Sequence, residues 1–244
     1  MSLEGKSVVV TGGGTGIGAG IALALANEGC RVAIGGRRLE PLQEVADSLA
    51  GAAHPILTHA LDVGDEASIG TFFDWAESEL GPIDILVNSA GMNIVNRTMA
   101  DMRPEQWDEV LRVNASGAYR CILRVLPAMR QRKDGLVINI SSVAGKRAIA
   151  LGGVAYAASK FAMTALGTTI SNEVREEGVR ITNVYPGEVN TPILDRRPVP
   201  VSDEHRAAIL QPEDIAAVVV TICQLPPRAN VPEVVVKPTR QEWY

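Results

Sequence analysis

The chain has 244 residues, of which 46% are hydrophobic, 21% charged and 4% aromatic, the make-up of an ordinary globular protein long enough to bury a large core. Its 23 Lys and Arg against 28 Asp and Glu leave a formal charge of −5, so electrostatics give no reason to expect nucleic acid or an anionic membrane as partner. The cysteines (Cys30, Cys121, Cys223) and histidines (His54, His59, His205) show neither paired nor metal-ligand spacing, so buried thiols in a reducing compartment and no protein-bound metal are expected.

Ser7 to Val10 is a short β-branched run that reads as a strand buried on both faces. It feeds Thr11-Gly12-Gly13-Gly14-Thr15-Gly16-Ile17-Gly18 and then a helix through Ile21 to Ala26. In this context a backbone can close on a pyrophosphate: residues without Cβ atoms turn tightly, and the helix N-terminus offers free N–H groups and a positive dipole end. The spacing Gly12, Gly16, Gly18 departs from the strict G-x-G-x-x-G, and no Gly-Lys-Ser/Thr follows, which excludes a mononucleotide kinase loop; a glycine turn without a ligand is the alternative.

Arg31 to Gly35 makes the second strand and Leu39 to Leu49 a helix. Where an NAD site carries an acid for the ribose, Gly36 stands here, followed by Arg37 and Arg38. A guanidinium binds a 2′-phosphate that a carboxylate would repel, so NADP(H) is favoured over NAD(H); the alternative is a solvated helix start.

Pro55 to Leu61 is the third strand and ends at Asp62-Val63, where Asp62 either caps a turn or accepts a hydrogen bond from adenine. A helix then runs from Asp65 to Leu80. Ile83 to Val87 is the fourth strand and delivers Asn88-Ser89-Ala90-Gly91 at its carboxyl end, where open parallel sheets bind ligands. Pro104 opens one long helix covering Trp107, Val110, Leu111, Ala115, Tyr119 and Ile122, with Asn114 in its interior. Leu136 to Ile140 is the fifth strand and runs into the hydroxyl pair Ser141-Ser142; Val179 to Tyr185 is the sixth, followed by Pro186-Gly187-Glu188-Val189-Asn190-Thr191-Pro192. Ile193 to Gln211 is irregular and long for a connection, which predicts a lid or binding loop. A helix from Pro212 to Leu225 and a seventh strand, Glu233 to Val236, close the pattern. Strands alternating with helices predict one doubly wound α/β sheet of about seven parallel strands, helices on both faces, in a single domain over residues 1–244 with a substrate loop at about 191–211.

Tyr156-Ala157-Ala158-Ser159-Lys160 opens a small-residue helix that continues to about Ser171. Positions i and i+4 share a helix face, so the Lys160 ammonium can lie beside the Tyr156 phenol and favour its ionised form. A phenol tuned in this way exchanges protons with a substrate oxygen.

Together these pieces resemble the short-chain dehydrogenase/reductase family in its compact single-domain form, over essentially the whole chain from Lys6 to about Val236. Thr11-Gly12-x-x-x-Gly16-x-Gly18 is similar to that family's cofactor loop, Asp62-Val63 to its adenine-binding pair and Asn88-Ser89-Ala90-Gly91 to its Asn-Asn-Ala-Gly turn, with Ser89 a departure. Asn114, Ser142, Tyr156 and Lys160 match its catalytic tetrad, and Pro186-Gly187 through Thr191 the segment over the nicotinamide. The resemblance implies a Rossmann-type sheet and hydride transfer between NADP(H) and a small carbonyl/alcohol pair. In it Tyr156 is the acid/base, Ser142 the donor to the reacting oxygen, Lys160 the residue on the nicotinamide ribose and Asn114 the holder of a water beside Lys160. It assigns to the cofactor Gly12, Thr15, Gly16, Ile17, Gly18, Arg37, Arg38, Asp62, Val63, Asn88, Ala90, Gly91, Tyr156, Lys160, Pro186, Gly187, Val189 and Thr191.

The substrate expected is a hydroxy acid, semialdehyde or general ketone or aldehyde; the alternatives are a 3-oxoacyl-carrier-protein reductase-like enzyme and a catalytically silent NADP-binding regulator. Arg196 and Arg197 either bind a substrate carboxylate or form a solvated pair. The resemblance also implies a dimer or tetramer assembled partly through the Tyr156 helix, and the tail Trp243-Tyr244 either docks on a neighbouring subunit or frays. The sequence opens without a charged segment leading into a long apolar one, and no apolar run is long enough to span a bilayer, so a cytoplasmic protein without membrane contact is expected.

Overall fold

The computed structural model describes residues 1–49 and 53–242; the expectation for Trp243 and Tyr244 falls outside them. The seven strands are β1 (Ser7–Thr11), β2 (Arg31–Gly36), β3 (Leu57–Ala60), β4 (Ile85–Asn88), β5 (Gly135–Ile140), β6 (Val179–Pro186) and β7 (Glu233–Val236). They pair in parallel in the order β3-β2-β1-β4-β5-β6-β7, a Rossmann-type sheet. The order reverses between β1 and β4, which opens a crevice above their carboxyl ends.

Helices cover both faces: α1 (Gly16–Asn27), α2 (Leu39–Ser48), α3 (Glu66–Leu80), α4 (Pro104–Leu111), α5 (Gly117–Arg132), α6 (Val154–Glu173), the short α7 (Asp203–Ala208) and α8 (Pro212–Gln224). Alternation along β1 feeds both layers. Val8 and Val10 pack with Ile21, Leu25 and Ile215 of α1 and α8, whereas Val9 packs with Phe72, Phe73, Ile122 and Val125 of α3 and α5. Asp65 caps α3 through its carboxylate, which accepts from the Ala67 N–H at 3.1 Å. Cys30, Cys121 and Cys223 are buried free thiols, each pushed up to about 12 by its burial. No helix among the described residues is long and apolar enough to cross a membrane.

The single long helix expected from Pro104 is not continuous. Between α4 and α5 the backbone makes a π turn over Arg112–Ser116, and Asn114 sits inside it. A π turn adds one residue to the coil and rotates the downstream helix. Asn114 is fully buried, and its amide explains the turn: Oδ1 accepts from the Met92 N–H at 2.8 Å, while Nδ2 donates to the Met92 carbonyl at 2.9 Å and to Ser159 Oγ at 3.0 Å.

A polar row crosses the sheet at its carboxyl end. The register aligns Thr11 with Asn88, Asn88 with Asn139 and Asn139 with Asn183. Asn88 Nδ2 donates to Asn139 Oδ1 at 3.0 Å, and Asn139 Nδ2 to Asn183 Oδ1 at 3.1 Å. Thr11 Oγ1 accepts from the backbone N–H groups of Ser89 and Ala90 at 3.2 and 3.1 Å, which anchors the turn after β4. Such side chains are buried at little cost only while they satisfy one another.

Helix α6 lies directly on this row. A Cβ at Gly167 would stand 2.2 Å from Asn183 Oδ1 and 2.8 Å from Asn139 Nδ2. Gly167→Ala is therefore expected to destabilise the fold by about 2–3 kcal/mol in urea unfolding. Gly70→Ala in α3, where an added Cβ meets nothing within 4 Å, is expected to stabilise it by roughly 0.5–1 kcal/mol.

Candidate active site

The carboxyl ends of β1, β4, β5 and β6 open into one cleft of about 1120 Å³, room for a dinucleotide and a small second ligand. One wall is the glycine turn. Gly12 and Gly16 hold φ values of +67° and +55°, the left-handed region that side chains rarely enter. A Cβ on Gly12 would also stand 2.8 Å from Ala90 Cα, and one on Gly18 2.3 Å from the Gly12 carbonyl oxygen. Thr15 precedes α1 without a side-chain cap, and the first turn carries no acid, so its free N–H groups are uncapped from within the chain. Bare donors beside a cradle of missing Cβ atoms fit a pyrophosphate.

Of the cofactor residues expected from the sequence, Gly12, Thr15, Gly16, Ile17, Gly18 and Arg37 line the cleft from this side. Ala90 and Gly91 line it from the turn after β4, and Pro186, Gly187, Val189 and Thr191 from the segment after β6. Thr191 closes directly over the glycine turn, its Cγ2 2.9 Å from where a Gly16 Cβ would be. Four residues are not brought to the wall. Arg38 is the exposed residue before α2. Asp62 caps its own turn, its Oδ1 accepting from the Gly64 N–H at 2.8 Å. Val63 is buried against Gly117. Asn88 belongs to the polar row, with its Oδ1 unpartnered.

The tetrad residues meet above β4 and β5. Lys160 is 4% exposed and donates through Nζ to the Ile140 carbonyl at 2.8 Å, with Nζ 5.7 Å from the Tyr156 ring centre. Ser142, at the end of β5, hydrogen-bonds the Tyr156 phenol. Ser141 is turned inward and donates to the Lys160 carbonyl at 3.2 Å, so Ser142 is the hydroxyl that faces the cleft. Asn114 stands behind Gly91, and a Gly91 Cβ would lie 3.5 Å from its Oδ1 and 3.6 Å from Lys160 Nζ.

The electrostatics differ from the sequence expectation in one respect. Burial lowers the Lys160 ammonium to about 8 and raises the Tyr156 phenol. The groups that oppose burial at Tyr156 are the Ser142 hydrogen bond and the charge of Arg97, a residue that carried no signal in the sequence. Arg97 is buried on the cleft wall, and burial together with Arg197 pulls it below its ordinary value.

The expected irregular loop contains a turn of 3-10 helix (Pro192–Arg196) and α7, and Glu188 organises it. Its carboxylate accepts from Arg197 Nη2 at 2.8 Å and meets His205 Nε2 at 2.5 Å. Burial works to raise this carboxyl, but the hydrogen bonds from His205 and Arg197 outweigh it and hold it low. Arg197 is thus neutralised inside the fold rather than solvated, while Arg196 lines the cleft. Gln241, also unforeseen, reaches the same wall and accepts from the Glu188 N–H at 3.1 Å.

A family model described as short chain dehydrogenase matches residues 6–199. The chain belongs to that family. As a short-chain dehydrogenase it is an NAD(P)-dependent oxidoreductase, with relatives of several named activities. It is 35% identical over 97% of its length to a glycine betaine reductase of Emericella nidulans, spanning 19% of that longer protein. It is 35% identical to a farnesol dehydrogenase of Aedes aegypti, covering 98% of each chain. A metagenomic short-chain oxidoreductase solved in complex with NADP superposes with a TM-score of 0.84 at 34% identity, over 99% of this chain and 100% of that one.

The short-chain dehydrogenase lysine carries a measurable signature in this protein. Its ammonium falls from 10.5 to about 8 on folding, so the folded chain gives up this proton before the unfolded chain does. The resulting destabilisation is full below about pH 8 and fades as pH rises toward about 10.5. The difference in Tm between Lys160→Met and wild type, read by calorimetry without cofactor, is expected to be more positive at about pH 7 than at about pH 10.

Proposed function

We propose that the protein interconverts a small carbonyl compound and its alcohol with NADP(H). The observation that carries this reading is the convergence of the Tyr156 hydroxyl, Ser142 and Lys160 on a cleft that also receives the uncapped start of α1. Either feature alone has other uses, whereas proton chemistry beside a pyrophosphate cradle has one economical explanation.

A bound nicotinamide dinucleotide supplies or accepts the hydride. The chain's own part is to bind, orient and move a proton. The first turn of α1 and Gly12 take the pyrophosphate, and Pro186 to Thr191 cover the nicotinamide end. Lys160, fixed by the Ile140 carbonyl, retains ammonium N–H groups for the adjoining ribose. In reduction Tyr156 gives its proton to the carbonyl oxygen while Ser142 donates a hydrogen bond to the same oxygen, so negative charge is met as it develops. In oxidation the Tyr156 oxygen takes the proton back. Asn114 acts on position: it clamps Met92 and so sets the turn from Asn88 to Gly91.

Arg37 supports the phosphorylated cofactor, since it is exposed on the cleft wall just after β2 with no acid at Gly36 to repel a 2′-phosphate. Tyr119 and Leu123 on α5 and Phe161 on α6 are exposed large apolar residues, and they support a homo-oligomer formed through these helices.

Tyr156→Phe is expected to lower kcat by at least about 1000-fold on any accepted carbonyl while NADPH binding changes less than about threefold. Near-normal turnover in a stopped-flow NADPH assay would reject the mechanism. Fluorescence titration of wild type is expected to give at least about tenfold tighter binding of NADPH than of NADH, with the gap shrunk or reversed in Arg37→Asp.

A further inference from the structure

We infer that the substrate carries a carboxylate of its own and that Arg97 binds it. Speaking of a substrate rests on the oxidoreductase reading above; the anion site does not.

Arg97 is a cation built into the wall without an acid to match it. It is 7% exposed and takes part in none of the ion pairs among the described residues. Three backbone carbonyls from three separate segments hold its guanidinium: Ile94 accepts from Nε at 2.9 Å, Leu151 from Nη1 at 2.9 Å, and Arg196 from Nη2. A guanidinium has five N–H donors, so one N–H on each terminal nitrogen is left over. The place is made to measure. Gly153 is held at φ +81°, a Cβ there would stand 2.5 Å from Arg97 Cβ, and the Val154 N–H returns a bond to the Arg97 carbonyl at 3.2 Å.

Carbonyl dipoles orient a guanidinium but do not neutralise it, and an unmatched buried charge is costly to a fold. A neutral apolar side chain would leave those three carbonyls without this donor, so they account for a guanidinium's shape; they do not match its charge, and that calls for an anion that arrives from outside. Neither acid of the cleft lining supplies it: Glu188 is committed to Arg197 and His205, and Glu109 makes no ion pair with Arg97. Arg37, the cation for the nucleotide, follows β2, whereas Arg97 follows β4 and shares its part of the wall with Ser142, Leu151, Gly152 and Tyr156. In a protein of net charge −5 the cleft lining carries five arginines and Lys160 against Glu109 and Glu188, a positive excess. Two donors on separate nitrogens of one rigid plane match the two oxygens of a carboxylate. Arg97 Nη1 is held by the Leu151 carbonyl, and a Cβ on the next residue, Gly152, would stand 3.6 Å from Tyr156 Cδ1, so the carboxylate and the reacting carbonyl belong to one short molecule, a 2-oxo or 3-oxo acid or a short semialdehyde acid.

The test reads binding rather than turnover. Protein saturated with NADP⁺, with which an oxo acid cannot react, is titrated calorimetrically with acetoacetate and 2-oxobutyrate and with their amides. At least one acid is expected to bind about tenfold or more tighter than its amide. Arg97→Met is expected to erase that difference with amide and NADP⁺ affinities unchanged, and Arg97→Lys to keep part of it. Equal affinities for acid and amide in wild type, no binding of either acid, or an acid preference that survives in Arg97→Met would overturn the assignment. The wild-type comparison stands even if the methionine variant misfolds. A protein that discriminates acid from amide but never turns over loses the oxidoreductase reading and keeps the anion site; one that reduces neutral carbonyls without discriminating does the reverse.

Discussion

Helix α6 presses against the sheet and against the 3-10 turn Val143–Gly145 so closely that only hydrogen fits at one point of contact with each. Gly167 faces the Asn139–Asn183 pair, and from the other side a Cβ on Gly145 would stand 2.7 Å from the Lys160 carbonyl oxygen. This approach sets the rest of the site. It brings Lys160 Nζ to the last carbonyl of β5, lets Ser141 and Thr164 satisfy the Lys160 carbonyl, and leaves Tyr156 one turn nearer the helix start, at the cleft wall. The lysine is buried because the helix is close, and burial is what lowers its ammonium into a range useful for chemistry. Packing, in this protein, is the source of the electrostatics.

The same reasoning extends to the second buried cation. Lys160 and Arg97 both rest on backbone carbonyls, and neither enters an ion pair among the described residues. Carboxylate partners would have cancelled the positive charge that both cations bring to the cleft wall. Of the two acids that line the cleft, Glu109 and Glu188, the latter is turned to a structural task, tying the loop beyond β6 through Arg197 and His205. Countercharge is thus absent beside the two buried cations and present where a loop is fastened.

Much of this was legible in the sequence because it is written in local patterns. β-branched runs gave the strands, Gly12 to Gly18 the tight turn into α1, and the four-residue step from Tyr156 to Lys160 their shared helix. The features that were not legible depend on which distant segments become neighbours. The polar row needs the register of four strands, which no window of sequence contains. Arg97 is held by carbonyls 54 and 99 residues away, so nothing near it in the chain marks it. Asp62 was ambiguous for the opposite reason: a short acid after a strand caps a turn equally well with or without a ligand, and here it caps one. The break between α4 and α5 escaped because apolar spacing continues almost unchanged through it, and only the contacts of Asn114 betray the added residue.

That added residue has a bearing on how the chain can change. Removing any one position from Arg112 to Ser116 would give the backbone a regular helix and better hydrogen bonds, a gain on every local measure. It would also swing everything on one side of the cut by about 100° relative to the other, parting the Asn114 amide from Met92 or the α5 core residues from their seats. This chain is thereby barred from a simplification that the helix by itself would favour, and a kink that resembles a flaw is held in place by the loop it supports.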